Sequence, residues 1–281
     1  MKIRKVRAVY FSPAGSTGAV TEYIAGKMAS ALEAETESID FTLPASRKAK
    51  YSFGPDELAV FGMPTYAGRI PNLILPHVRE MFSGNNTPSV SLVTFGNRSF
   101  DSSLTELVQE TGSKGFRVFA AGAWVCRHVF SHRLAPGRPD QVDCRKMDVF
   151  ASEAVTMLNR ILAKGPDEAA ALPVIRGGEP VGPYYVPRGE DGRPAVFLKA
   201  KPETDPAKCV RCGTCAEVCP MGSVSRSDFS DVPGICIKCQ ACIRHCPEHA
   251  RYFKDEAFLS HVRMLENHCT GRREPEWYWG K

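Results

Sequence analysis

From residue 209 the chain reads "CVRCGTCAEVCP", and from residue 236 it reads "CIKCQACIRHCP". The spacing Cys-x2-Cys-x2-Cys-x3-Cys-Pro is written twice, 27 residues apart, and uses eight of the chain's 11 cysteines. Loops this short bury little, so something other than an apolar core has to hold them. Groups of four soft thiolates suit zinc or an iron–sulfur cluster. Zinc sites usually pair two Cys-x2-Cys knuckles across a longer loop. Here each run offers three cysteines at x2 spacing and then a fourth just before a proline.

That is the two-cluster [4Fe–4S] spacing, in which the fourth cysteine of each run ligates the other cluster. One centre then takes Cys209, Cys212, Cys215 and Cys246, and the other takes Cys236, Cys239, Cys242 and Cys219. Three cysteines wrap one cube, and the segment ending at Pro220 or Pro247 carries the fourth sulfur to its neighbour. The repeat predicts a pseudo-two-fold module, with Val210 matching Ile237 and Ala216 matching Ile243 as apolar cover. Zinc, a disulfide knot and chance are the alternatives. Cys126, Cys144 and Cys269 stand alone and read as buried or idle thiols.

No uncharged apolar run approaches a membrane span, the purest being "VFAAGAWVC", and "MKIRKVRAVYFS" reads as a first strand rather than a leader. A cytoplasmic protein without a membrane is expected, and a reducing compartment argues for metal or redox use of the thiols. The formal charge of +5 counts cysteines as neutral. Two oxidised clusters, each about −2 with their ligands, bring it near zero. The excess of Lys and Arg therefore reads as counter-charge, and no basic run with interleaved aromatics points to nucleic acid.

In front lies an α/β pattern. Residues 6–12, "VRAVYFS", read as a strand, followed by "PAGSTG" and an amphipathic helix presenting Val20, Ile24, Met28 and Ala31/Leu32. "TESID" is a candidate edge strand. "ELAVFGMP" (57–64), "SVSLVTFG" (89–96) and "FRVFAAGAWV" (116–125) are the near-continuous apolar runs of parallel strands. Asp140 caps a last helix running to Lys164, with Phe150, Ala154, Leu158 and Ile161 inside. Together these predict a doubly wound five-stranded parallel sheet, whose ligand lies at the carboxyl ends of its strands.

Three loops fall there. In residues 12–17, Ser12, Ala14, Gly15, Ser16 and Thr17 let backbone N–H groups approach a phosphate at a helix start. The loop has neither the lysine of a nucleotide-hydrolysing P-loop nor the GxGxxG fingerprint, and a plain strand–helix turn is its alternative. "GMPTYAGRIPN" and "TFGNRSFDSSL" each set glycine beside a strand-end aromatic. A flavin is the best single explanation for all three loops together.

The phosphate loop, "GMPTYAGRIPN", "FGNRSFDSSL", "GRPDQVD" and the closing "RREPEWYW" resemble the flavodoxin–ferredoxin fusion proteins of anaerobic bacteria over nearly the whole chain. The resemblance implies FMN, with phosphate held at Ser12–Thr17. The ring is implied beside Pro64, Thr65, Tyr66, Ala67 and Gly68, and beside Phe95, Gly96, Asn97 and Phe100. Ala14 departs from the family's usual threonine and removes one hydroxyl donor. The expected units are an FMN domain (1–164), a Pro/Gly-rich connector (165–199) and a two-cluster ferredoxin module with a C-terminal extension (200–281). The connector is expected to be pinned, through Val174, Ile175, Tyr184, Tyr185 and Val196–Leu198, rather than to swing freely. "AVFLKA" (195–200) reads as one strand.

The expected function is electron transfer between two [4Fe–4S] clusters and FMN, with a redox protein as donor or acceptor. The alternative is an FMN-dependent reductase of a small molecule, fed through the clusters. For that reaction the candidate proton donors are Tyr66, His128 and His132. The loop 126–140, with Arg127, His128, His132, Arg133 and Arg138, either faces an acidic ligand or docks the cluster module.

Overall fold

The computed structural model describes residues 2–164, 171–177 and 180–280. The front part runs β1 (Lys5–Tyr10), α1 (Ser16–Leu32), β2 (Glu35–Asp40), a 3-10 turn (Pro44–Lys48), β3 (Tyr51–Phe53), β4 (Glu57–Pro64), α2 (Leu75–Met81), β5 (Phe82–Gly84), β6 (Thr87–Phe95), α3 (Ser103–Gly112), β7 (Phe116–Val125) and α4 (Gln141–Lys164). There follow β8 (Glu203–Thr204), α5 (Thr214–Glu217), α6 (Ala241–Arg244), β9 (Arg251–Tyr252), α7 (Glu256–His268) and β10 (Glu276–Trp279).

The main sheet has the order β10-β7-β6-β4-β1-β2. Its five front strands are parallel and wind in the flavodoxin-like order. Strand alternation feeds two cores. Val9, Phe11, Val93 and Val125 pack with α2 and α3 on one face, while Ala8, Tyr10, Leu92 and Trp124 pack with α1 and α4 on the other. Asp140 Oδ1 accepts from the N–H groups of Val142 (2.9 Å) and Asp143 (3.1 Å), capping α4. On α1, Val20, Ile24 and Met28 are buried, but Ala31 is exposed.

Three expectations are corrected. The sheet has a sixth strand: β10 adds to β7 antiparallel, pairing Trp277 with Gly122 and Trp279 with Ala120. Trp277 stacks on Trp124 at 6.0 Å and Trp279 on Phe150 at 5.4 Å. The last residues of the expected 200–281 unit therefore complete the front sheet. Second, "AVFLKA" is not a strand. Pro194 makes only an isolated bridge to Arg188, and Leu198–Lys199 form a turn. Beyond that bridge and the Ala195 N–H bond to the Pro187 carbonyl (2.8 Å) the segment joins no sheet among the described residues; Val196 and Leu198 stay 76% and 84% exposed, and Phe197 turns inward.

The third correction concerns the anchors of the connector. Among its described residues Val174 is 66% exposed, whereas Ile175 is buried. Phe197 packs on Phe258, and further pinning is polar. Gly182 N–H donates to Ser102 Oγ (3.0 Å), Tyr184 Oη to the Ile70 carbonyl (2.9 Å) and Tyr185 N–H to the Ala67 carbonyl (2.8 Å). The expectation for 165–170 and 178–179 lies outside the described residues.

Candidate functional site

The cysteine repeat folds as a repeat. Arg211 and Lys238, Gly213 and Gln240, and Gly222 and His249 are pairs 27 residues apart, and all six have positive φ. Each left-handed residue bends its loop back on itself. α5 and α6 occupy matching positions, and the Ser223 N–H to Cys219 Sγ bond (3.2 Å) matches that of Ala250 N–H to Cys246 Sγ (3.2 Å). β8 and β9 pair antiparallel and close the module.

The eight thiols line two clefts, and each fourth cysteine crosses over. Cys209, Cys212, Cys215 and Cys246 line one with Phe229 and Arg251. Cys219, Cys236, Cys239 and Cys242 line the other with Val224, Val232 and Phe253. Among the described residues no three or more His, Cys, Asp or Glu side chains gather as one metal ion requires. Burial pushes the Cys242 thiol up to about 11 and raises those of Cys236 and Cys239, so loading the inner cleft releases protons. Arg251 is 3% exposed, yet its Nε and Nη2 have no hydrogen-bond partner. Orphaned donors beside four thiols fit an anionic group there.

The surroundings of the two clefts differ. Cys212 is exposed and Cys239 buried. Val210 is 64% exposed, while its repeat partner Ile237 packs against the front core. Arg47 of the 3-10 turn donates to the Pro220 carbonyl (2.7 Å), fastening the inner cleft's crossing segment to the front domain.

A cavity of about 590 Å³ lies at the carboxyl ends of the parallel strands, within the size range of small-molecule sites. One end holds Ala14, Ser16 and Thr17, and Ser16 and Thr17 open α1 with N–H groups that have no intrahelical acceptor. The side walls are Pro64, Thr65, Tyr66, Ala67 and Gly68 with Thr94, Phe95 and Gly96. Ala67 and Gly68 both have positive φ, closing a two-residue turn between Tyr66 and Arg69. The far wall is Ile235, Cys236, Ile237 and Lys238, so Cys236 borders both this cavity and the inner cysteine cleft. Burial, and then the charges of Cys239 and Cys236, hold the Tyr66 phenol well above its usual range.

Four expected contacts are not part of that lining. Ser12 Oγ accepts from Gly18 N–H (2.8 Å), and Gly15 (φ +85°) is the turn itself; both shape the strand–helix loop. Asn97 is buried: its Nδ2 donates to the Cys269 (2.6 Å) and Gly271 (2.9 Å) carbonyls, steering the tail toward β10. Phe100 packs on Phe95 at 5.4 Å.

The loop 126–140 divides in two. Cys126, Arg127, His128, Val129 and Phe130 line the cavity. The remainder is tied down by a buried Arg138–Asp143 pair and by Arg133 (2.9 Å) and Ser131 (2.5 Å) on Glu266 of α7. His132 stays outside the lining, beside Arg127. His261 of α7, which no sequence motif marks, joins it instead. Phe130 N–H donates to His128 Nδ1 (3.1 Å), leaving the ring proton on Nε2. His261 Nδ1 donates to the Arg188 carbonyl (2.8 Å), leaving Nε2 a free acceptor. Burial lowers the pKa of both, that of His128 to about 4. Among the described residues no Asp or Glu lines the cavity, whereas Arg98, Arg127 and Lys238 do.

Residues 202–225, which contain Cys209 to Cys219, match the family model described as a 4Fe–4S binding domain. The match falls on the first cysteine run. No curated protein matches the chain. Among solved structures, the Streptococcus pneumoniae TIGR4 flavodoxin is 16% identical, covering 54% of this chain and 99% of its own at TM-score 0.39. Two-electron reduced Megasphaera elsdenii flavodoxin is 15% identical, with coverages of 53% and 98% and a TM-score of 0.32. Rubredoxin oxygen:oxidoreductase from Desulfovibrio gigas is 16% identical, with coverages of 57% and 37% and a TM-score of 0.37. The strand order, rather than these likenesses, defines the fold. No helix of the described residues is long and apolar enough to cross a membrane.

Proposed function

We propose that the protein is an iron–sulfur flavoprotein passing electrons between two [4Fe–4S] clusters and FMN. The carrying observation is the position of Cys236, in the wall shared by the inner cleft and the cavity that the strand–helix turn closes at its other end. Clusters exchange single electrons and FMN accepts them singly or in pairs, so the combination converts between the two. Ser16 and Thr17 hold the phosphate, and the walls from Pro64 to Gly68 and from Thr94 to Gly96 hold the ring. The outer cleft, with Cys212 exposed, meets a redox partner protein.

The histidine pair favours a reductase as the second function. His128 offers a proton at Nε2 and His261 a lone pair at Nε2 across one cavity. A lining with three cations and no carboxylate selects a small anionic substrate. Anaerobic reconstitution with FMN, iron and sulfide, followed by reductive titration watched by absorbance and EPR, tests the proposal. About eight irons, one FMN and two interacting cluster signals per chain are expected. Zinc in the clefts, or failure to retain flavin, would overturn it. Reoxidation of the reduced protein by small anionic acceptors then separates reductase from carrier.

A further inference from the structure

The repeat is broken at one buried position. Residue 224 and residue 251 are 27 apart, and each is the residue after the N–H donor to its own run's fourth cysteine. The first run has Val224, 5% exposed, in the lining of the inner cleft. The second has Arg251, 3% exposed, in the lining of the outer cleft. The module therefore sets a guanidinium against one cluster where the other has an isopropyl group.

A cation buried without a counter-ion is strongly destabilising. Here Nη1 is held: it donates to Thr204 Oγ1 (2.6 Å) across the β8–β9 pair and to the Phe229 carbonyl (2.7 Å). These acceptors are neutral and aim the group, leaving Nε and Nη2 buried and unpartnered. Among the described residues Arg251 forms no ion pair with an Asp or Glu. Its side chain lines the outer cleft with Cys209, Cys212, Cys215 and Cys246, and it also meets the Cys242 thiol of the inner. The guanidinium thus lies within reach of ligands of both centres.

We infer that Arg251, which lines the outer cleft and meets the inner at Cys242, sets its charge chiefly against the sulfurs of the outer cluster and so separates the reduction potentials of two otherwise repeat-related centres. Net charge and hydrogen bonds to sulfur are the protein's levers on such potentials. A nearby cation favours the more negative, reduced state, so the outer cluster accepts an electron more readily than the inner. Electrons arriving at the exposed end are held there until a stronger driving force, or a second electron, moves them inward. Arg251 is a positioning residue and is not part of the cavity lining.

The inference rests on the two-cluster reading, and the test keeps the two apart. In the reconstituted full chain, iron content and EPR-monitored redox titration are compared for wild type, Arg251→Val (which copies Val224) and Arg251→Lys. With about eight irons retained, Arg251→Val is expected to lower the higher of the two potentials by at least tenfold in the reduction equilibrium, about 59 mV for one electron. The lower potential should move less, and Arg251→Lys should fall between. Unchanged potentials in a fully loaded Arg251→Val protein would overturn the inference. If that variant loses its outer irons, pulsed EPR of the wild type grown on isotopically labelled arginine decides: nitrogen coupling to the outer cluster supports the role, and its absence removes it. Fewer than about eight irons in the wild type would sink the two-cluster reading itself, and this inference with it.

Discussion

The inner and outer cysteine clefts have almost the same backbone and nearly opposite environments. Both carry the same left-handed residues, the same short helix and the same N–H to sulfur bond. Yet Ile237 is packed where Val210 is exposed, Cys239 is buried where Cys212 is open, and Val224 stands where Arg251 is charged. Ligand spacing makes a cluster site, but what packs around it decides what the cluster does. The inner site belongs to the cavity, and the outer site belongs to solvent and to whatever docks there.

The largest effect should come from removing one ligand on each side. Cys236→Ser should cut iron from about eight to about four per chain and stop cluster-to-FMN transfer, read by stopped-flow absorbance with a low-potential protein donor. Cys209→Ser should lose as much iron but leave FMN reducible by dithionite through the inner cluster. Equal flavin reduction in both variants would show that electrons do not pass by the shared wall.

A pH dependence should mark the inner side. Burial, followed by the charges of His261 and Arg98, lowers His128 to about 4, against about 6.5 for a free histidine. The unfolded chain then binds this proton first. The stabilisation is complete above about pH 6.5 and declines as pH falls toward 4, by at most about 3 kcal/mol. His128→Gln should flatten that part of the curve in urea unfolding at pH 7 and pH 5. A slope that survives the substitution would point to another group.

Next comes the fastening of the inner cleft. Arg47 Nε also donates to the Phe41 carbonyl (2.9 Å), so Arg47→Ala frees the Phe41 and Pro220 carbonyls together and should cost about 2 kcal/mol. Hydrogen exchange should quicken around Cys219 and stay unchanged around Cys212. Quickening at both clefts would mean the module opens as one unit. The smallest effect is expected in the loops. Gly213 (φ +83°) and Gln240 (φ +63°) are repeat partners, so Gly213→Ala should destabilise by about 1 kcal/mol, while Gln240→Gly should be near neutral. Thermal midpoints of the loaded proteins would show that difference or remove it.

Several parts of the molecule were legible because they are local. The apolar runs at 57–64 and 116–125 are β4 and β7 to the residue, since strands covered on both faces must be apolar throughout. Asp140 is a cap because a helix start needs an acceptor within three residues. β10 was not legible as a strand of this sheet. "EWYW" is a good strand anywhere, but its partner β7 lies some 150 residues earlier, and Asn97 turns the chain toward it through two backbone carbonyls. "AVFLKA" misled for the complementary reason: strand-like residues do not make a strand without an edge to join.

In the site, the motif loops named the phosphate turn and the wall from Pro64 to Gly68, because glycine, proline and small side chains at strand ends carry their geometry with them. Motif reading also named Asn97, Phe100 and His132, none of which is part of the cavity lining; Asn97 binds two tail carbonyls and Phe100 packs on Phe95. It had no means of finding His261, a lone histidine on an amphipathic helix, or Arg251, a single cation in a repeat dense with them.

By itself, then, the sequence determined the parallel α/β sheet and the two cysteine runs with their crossed spacing, because strand periodicity and ligand spacing are properties of contiguous residues. Only the tertiary structure decided that Cys236 faces the cavity and Cys212 faces solvent, that His261 joins His128, and that Arg251 is buried with no Asp or Glu partner among the described residues. Those facts depend on which surfaces meet, and contact between distant segments is set by packing and desolvation across the whole fold.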